Sequence, residues 1–399
     1  MSAEIPRTAD VAVIGGGCMG TSIAFHLARM GNEVALLEKG HVASGATGHS
    51  GALVRQHYET RIGARLARES LAFFRRFHEE TGTSCDFRTT GFLSGSRLRD
   101  LPAFNALFDL LKSEGIRVER LDPKEAVALE PQLDASDYEA IVHDPDAGYA
   151  DPIATAAGFA SAASREGSRI LEEHAVREIV VHRGRVAGVR LRGGRTIETS
   201  QVVLAAGNWT RDLASRLEVH LPITFHRGNV AVLRRPAGFG PAPKLHFDFY
   251  GRTYSRPEGD KDVLVGFMDR EPRETIRGHE LRDDSVPTSI VRDLRSRLSR
   301  RFPAMTRAQP RGGWAGVYDF TPDAYPILDR LGPHGLVVAA GFSGHGFKLC
   351  PEVGRLLAAF IATGRRPEAL EPFRGSRFAE RRPIRPDAPF PRRRGLRLT

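Results

Sequence analysis

The chain reads as a two-part α/β (α+β) protein. A Rossmann-like wound domain draws on both ends of the sequence, and a second, mainly antiparallel-sheet domain comes from the middle. Three observations predict this. The first is "DVAVIGGGCMGTSIAFHLARMGNEVALLEKG" (10–40), a strand, a glycine turn, an amphipathic helix and a second strand, which is the pattern of a βαβ unit. The second is "GLVVAAGFSGHGFKLCPEVGRLLAAF" (335–360), another strand, glycine turn and helix near the other end. The third is the run of short β patterns between them, "ITFHRGNVAVLRRP", "LHFDFYGRTYSRPEG" and "DVLVGFMDR".

At 399 residues the chain exceeds what one small core organises, so two domains are the default. A content of 41% hydrophobic and 27% charged residues describes an ordinary globular protein. No apolar run approaches the ~18 residues of a membrane span. The first residues lack a basic segment followed by a long apolar core, so a cytoplasmic protein is expected. Cys18, Cys85 and Cys350 are scattered with no CxxC pair. That spacing points to a reducing compartment, with neither a disulfide framework nor a metal site. The net charge of +10 raises nucleic acid as a partner, but location weakens that reading. Residues 374–399 hold nine arginines against Glu380 and Asp387 and so carry +7 of the total. With Pro383, Pro386, Pro389 and Pro391 among them, this segment reads as an extended, solvated tail. Its sharper reading is contact with an acidic protein partner.

Residues 61–82, 101–115 and 151–167 have helical spacing, and each closes on a glycine. Gly184 and the Gly193-Gly194 pair mark hairpin turns in the β pattern of 174–207. A charged helix is expected over 286–303. The assembly that follows places residues 1–90, 146–215 and 321–373 in the wound domain and 91–145 and 216–320 in the second, with 374–399 as the tail.

Gly15-x-Gly17-x-x-Gly20 follows the apolar run "VAVI" and opens a helix. The first glycine permits the tight turn, the second lets backbone approach a pyrophosphate, and the third lets the helix pack on the strand. Glu38, eighteen residues past Gly20, stands where a carboxylate bonds ribose hydroxyls and repels a 2′-phosphate. Together these predict a bound dinucleotide, and the motif alone does not choose between FAD and NAD.

The rest of the chain chooses. "SGATG" (44–48), "LAAGNW" (204–209) and above all "GFSGHGFKL" (341–349) join "GGGCMG". With these segments the sequence resembles the D-amino-acid-oxidase superfamily of FAD enzymes over about residues 10–373, in particular its branch of sarcosine oxidases, glycine oxidases and related amino-acid dehydrogenases. The resemblance implies an FAD-binding wound domain beside a substrate-binding domain. It also implies oxidation of the C–N bond of a small amino acid or amine, with hydride delivered to flavin N5 and O₂ or another electron acceptor reoxidising the flavin.

It further implies where the cofactor lies. Gly15, Gly17, Met19 and Gly20 belong to the phosphate turn, with Glu38 and Lys39 following at the ribose. Ser44, Gly45 and Thr47 line the pyrophosphate and ribityl path, and the Val176 backbone meets the adenine. Ala206, Gly207 and Trp209 approach from the "LAAGNW" segment, and Gly316 from "GVYDFTPD". The late turn contributes Gly341, Gly344, His345, Gly346, Phe347 and Lys348 near the flavin ring.

Removing a hydride beside nitrogen requires a neutral amine and a held carboxylate, so cations should line the pocket. Arg55 suits a bidentate grip, and Lys348 matches the position of a second positive charge. His345 is expected against the flavin, and Tyr58, Tyr254 and Tyr318 are candidates for the pocket wall. Two departures from the family pattern stand out. Gly316 and Val317 replace the cysteine that tethers flavin in some relatives, which predicts non-covalent FAD. Leu264 stands where many oxidases carry a lysine over the flavin, with Lys261 just outside, which argues against fast O₂ reduction and keeps open a dehydrogenase using another electron acceptor. Two rival readings stay open: a flavin-dependent RNA-modifying protein, and a non-catalytic FAD-binding subunit.

Overall fold

Val11–Ile14 buries all four side chains, the pattern of a strand covered on both faces. The computed structural model describes residues 4–268, 276 and 278–388, and it sets this strand inside a six-stranded sheet. The order across that sheet is Ile327–Arg330, Leu336–Ala340, Val202–Leu204, Val11–Ile14, Val34–Leu37 and Arg169–Leu171. Every neighbouring pair is parallel except the first. Three adjacent parallel strands therefore deliver "GGGCMG", "AAGNW" and "GFSGHG" to one carboxyl edge, where wound sheets bind their ligands.

One face of the sheet carries the helix Cys18–Arg29, packed against both Pro152–Arg165 and Gly346–Thr363. The crossing with Gly346–Thr363 is close. A Cβ on Gly354 would stand 2.2 Å from Ser22 Oγ, and that hydroxyl donates to the Cys350 carbonyl at 2.7 Å. Pro152 at the first helical position and the Asp151 cap, which accepts from Ala154 N at 2.7 Å, start the third helix of this layer.

The middle of the chain forms an eight-stranded sheet. Its order is Gln309–Phe320, Thr224–Arg234, Asp262–Phe267, Thr253–Glu258, Leu245–Asp248, Phe92–Ser96, Ala140–Asp144 and Glu119–Leu121. All pairs are antiparallel except Leu245–Asp248 with Phe92–Ser96. Thr288–Ser299 buries Val291, Leu294 and Leu298 beneath it. The hairpins marked by Gly184 and Gly194 become a separate antiparallel sheet of Val176–His182, Arg185–Leu191 and Thr196–Glu198.

Three expectations change. The helix expected over 61–82 breaks at Arg76 into Arg61–Arg75 and Phe77–Thr81. The break turns Phe77 into an aromatic cluster, 5.0 Å from the Phe159 ring and 6.0 Å from Phe73. A helix the sequence reading missed, Pro123–Leu129, carries a complete capping box between Asp122 and Glu125. Residues 374–388 are not a solvated tail. Arg377 grips Asp323 with two bonds of 2.8 and 3.0 Å, both side chains being buried, and Ile384 N donates to the same carboxylate at 2.9 Å. Ala388 is buried in the larger core. Pro389 and Pro391, with the rest of 389–399, lie outside the described residues.

Candidate active site

Where the carboxyl edge of the six-stranded sheet faces the eight-stranded one lies a cavity of about 1960 Å³. Ordinary small-molecule sites occupy roughly 300–1,000 Å³, so this one has room for a dinucleotide and a second ligand.

The nucleotide-type end is built by the first glycine turn. Gly15 sits at φ +116°, and a Cβ there would stand 2.3 Å from the Ala205 carbonyl oxygen. Gly20 does not line the cavity; its missing side chain lets the helix pass 2.0 Å, measured from an ideal Cβ, from the Gly15 oxygen. Gly17 does line it, and only Thr47 Oγ1 approaches the space its side chain would fill. Helix Cys18–Arg29 has no acidic residue in its first turn, so its free N–H groups and positive end are open to an anion. Glu38 holds the turn from below, accepting from Gly16 N at 2.7 Å and Gly40 N at 2.9 Å. Thr47 Oγ1 accepts from Cys18 N at 3.0 Å. Met19, Ser44, Gly45 and Val176 line the same end, joined by Ala206 and Gly207. Lys39 and Trp209 line it too, stacked with Lys39 Nζ 3.4 Å from the indole centroid.

The other end is aromatic and cationic. Arg55 is buried with its guanidinium 4.4 Å from the Phe247 ring centroid and 5.3 Å from that of Tyr58. Its Nη1 donates to the His57 carbonyl. Lys348, also buried, sits in the first turn of Gly346–Thr363 and donates to the Gly344 carbonyl at 3.4 Å. Burial first, and the Arg55 charge second, hold the Lys348 ammonium well below its usual range. A guanidinium resists such a shift and stays charged. Burial raises the phenols of both Tyr254 and Tyr318. They fit because glycines face them. A Cβ on Gly266 would stand 2.5 Å from the Tyr254 ring, and one on Gly228 would stand 2.1 Å from the Tyr318 ring.

Between the two ends lies the late glycine turn. Gly344, His345, Gly346 and Phe347 line the cavity, as does Gly316 across from them. Gly341 does not; at φ +71°, with Thr321 Cγ2 2.4 Å from its ideal Cβ, it shapes the turn instead. His345 Nδ1 is 3.1 Å from the Tyr58 hydroxyl, and its ring stacks on Tyr325 at 6.2 Å and 4°. Leu264 corrects an expectation: it is fully buried in the core and does not reach the cavity. That strand faces the cavity through Phe267, followed by Met268.

Several residues here carried no signal in the sequence. Asp319 Oδ2 accepts from Gly341 N at 2.8 Å and Phe342 N at 3.3 Å, tying the late turn to the eight-stranded sheet. Burial pushes its carboxyl up to about 6. Asn208 lines the cavity, buried, with a side-chain oxygen that has no hydrogen-bond partner among the described residues. Tyr325 and His57 complete the wall.

The family model for FAD dependent oxidoreductases of the DAO kind matches residues 10–360. The chain belongs to that family. Human mitochondrial sarcosine dehydrogenase is 28% identical over 393 residues, 94% of this chain and 42% of that protein. Monomeric sarcosine oxidase of Streptomyces avermitilis is 29% identical over 373 residues, 90% of this chain and 94% of that one. Among solved structures, L-proline dehydrogenase from P. horikoshii superposes with a TM-score of 0.87 at 27% identity, covering 96% of this chain and all of that one. The chain thus spans about two fifths of the longer curated relatives it matches, such as the human dehydrogenase.

The residues present fit FAD. The bare backbone of Gly17 on the cavity wall, the acid-free helix start, Glu38 and the unpartnered Asn208 oxygen suit a dinucleotide. The remaining volume, walled by Arg55, Lys348 and aromatic rings, suits a small carboxylate.

Proposed function

We propose that the protein oxidises the C–N bond of a small amino acid or N-alkyl amino acid of the sarcosine, glycine or proline kind, giving an imine that water hydrolyses. FAD, held without a covalent tether, supplies the hydride acceptor. The observation that carries this reading is the pairing of Arg55 with Lys348, two buried basic side chains in an aromatic chamber beside the late glycine turn. A guanidinium fork and an amine that gains a proton beside an anion suit a carboxylate handle.

Each side chain has a task. Arg55 is pinned between Phe247 and Tyr58, so its fork is preorganised for a carboxylate. Lys348 is driven toward the neutral amine until an anion arrives. The substrate carboxylate restores its charge, so binding and protonation at Nζ are coupled. Tyr254 and Tyr318 stay protonated and present hydroxyls where the amine must be oriented. The aromatic wall excludes water, which strengthens each of these contacts. Backbone N–H groups at the start of Gly346–Thr363 supply positive potential on the cofactor side, where charge accumulates on reduction. The strand Asp262–Phe267 turns Phe267 rather than a cation to the cavity, and the acceptor is O₂ or another oxidant.

The test is anaerobic mixing of the purified holoprotein with sarcosine, glycine and proline. Bleaching of the flavin by one of them is expected, and admitting air then distinguishes oxidase from dehydrogenase. A flavin that none of these reduces contradicts the proposal and favours a non-catalytic subunit.

A further inference from the structure

Residues 278–285 cross the cavity mouth, and His279, Glu280, Leu281, Arg282 and Asp284 line it. The segment is anchored on the substrate side. Ala315 N donates to the Asp284 carbonyl at 2.7 Å, and Arg227 donates to the carbonyls of Asp283 and Ser285 at 3.0 and 2.6 Å. Just before it, Ile276 N donates to the Phe225 carbonyl at 3.0 Å. Its middle is held instead by the nucleotide side. Glu280 Oε1 accepts from Lys39 Nζ at 2.9 Å and from Trp209 Nε1 at 3.0 Å, and His279 Nδ1 lies 2.8 Å from Asp212 Oδ2.

The two kinds of attachment differ in character. The anchors are bonds to strand backbone and to a strand arginine. The middle rests on side chains that are half exposed, 57% for Glu280 and 46% for Lys39. Exposed ion pairs of this kind are worth little and are screened by salt. The contacts of Glu280 fall on the two residues that line the cofactor end, and Lys39 and Trp209 are already stacked on each other. Gly45 is also there, with the Trp209 ring 3.8 Å from its ideal Cβ. Such a segment is firmly tied at its ends and lightly tied over the ligand, which is the arrangement of a latch.

We infer that residues 278–285 latch the nucleotide end of the cavity and that Glu280, through Lys39 and Trp209, sets how fast FAD leaves. This rests on assigning the cavity to FAD. Glu280 is a positioning residue: it acts on the cofactor through Lys39 and Trp209, and the chemistry at Arg55 and Lys348 does not involve it.

The experiment follows flavin fluorescence after dilution of the holoprotein, for the wild type, Glu280→Gln and Glu280→Ala. Release about three- to tenfold faster is expected for Glu280→Ala, the size set by one exposed ion pair and one side-chain bond. Added salt should accelerate release from the wild type more than from Glu280→Gln, a difference that a purely structural role does not produce. The melting temperature of the apoprotein, measured alongside, should be the same in all three. Wild-type release rates in Glu280→Ala overturn the latch while leaving the FAD assignment intact. Equal salt responses in wild type and Glu280→Gln also overturn it. A wild type that retains no FAD overturns the cavity's assignment and the latch with it.

Discussion

At Arg55 and Lys348 the same burial has opposite consequences, because a guanidinium keeps its proton where an ammonium gives it up. This sets a prediction for Lys348→Met. The loss of a charge-assisted hydrogen bond, about 1.5–3 kcal/mol, should raise KM roughly 10- to 100-fold with flavin still bound. The sign of the pH dependence follows from the lowered Lys348 ammonium. Substrate affinity should fall as pH rises through its titration in the free enzyme, and the Met variant should lose that limb. A steady-state KM series against pH checks both. Arg55 and Lys348 were legible because each sits in a recognisable segment. Asp319 and Tyr325 were not, since their importance lies in contacts with a turn some twenty residues away in sequence, at Gly341 and His345. Spacing within a strand says nothing about which distant backbone its side chain will meet. Gly20 and Gly341 show the converse: motif glycines whose work is to let the Gly15 backbone and the Thr321 side chain come close rather than to touch a ligand.

Among the elements, the glycine turns and their strands were readable from local pattern, and the C-terminal segment was misread. Its arginines look like a solvated charge run until one of them, Arg377, meets a buried carboxylate that composition cannot reveal. Asp323→Ala leaves that guanidinium buried without its partner and should cost about 3–5 kcal/mol in chemical denaturation. A loss below about 1 kcal/mol contradicts the structural role given to residues 374–388. The helix Cys18–Arg29 carries a second test. His26 is buried among Phe25, Phe73 and Phe159, and burial holds its imidazole down to about 3. The folded protein keeps this ring neutral while the unfolded chain protonates below about 6.5. Stability is therefore present above that pH and drains away as pH falls, by at most about 2 kcal/mol between pH 7 and pH 5 from this residue. His26→Gln should show a shallower loss over the same interval. Asp144, pushed up to about 6 by burial, contributes the opposite slope, so the comparison of variant with wild type is the informative quantity.

For the whole molecule, the decisive feature is that two sheets built from interleaved segments meet edge to face over one cavity. The alternation of helix-rich ends with a β-rich middle made the two architectures legible. Their register was not, because the parallel pairing of Leu245–Asp248 with Phe92–Ser96 joins residues some 150 positions apart, and no local periodicity encodes it. Nor did pattern show that "GFSGHG" and "GGGCMG" leave neighbouring parts of one sheet edge. That convergence puts the chamber of Arg55, Lys348 and aromatic rings at one end of a dinucleotide-sized cavity, and it leads to the most direct measurement available. Flavin reduction should be followed anaerobically with proline and with pyrrolidine, and with sarcosine and dimethylamine, pairs that differ only in the carboxylate. The account predicts bleaching by at least one amino acid and none by its decarboxylated partner at the same concentration. Equal reduction by both members of a pair contradicts the carboxylate clamp at Arg55 and Lys348, and with it the central claim.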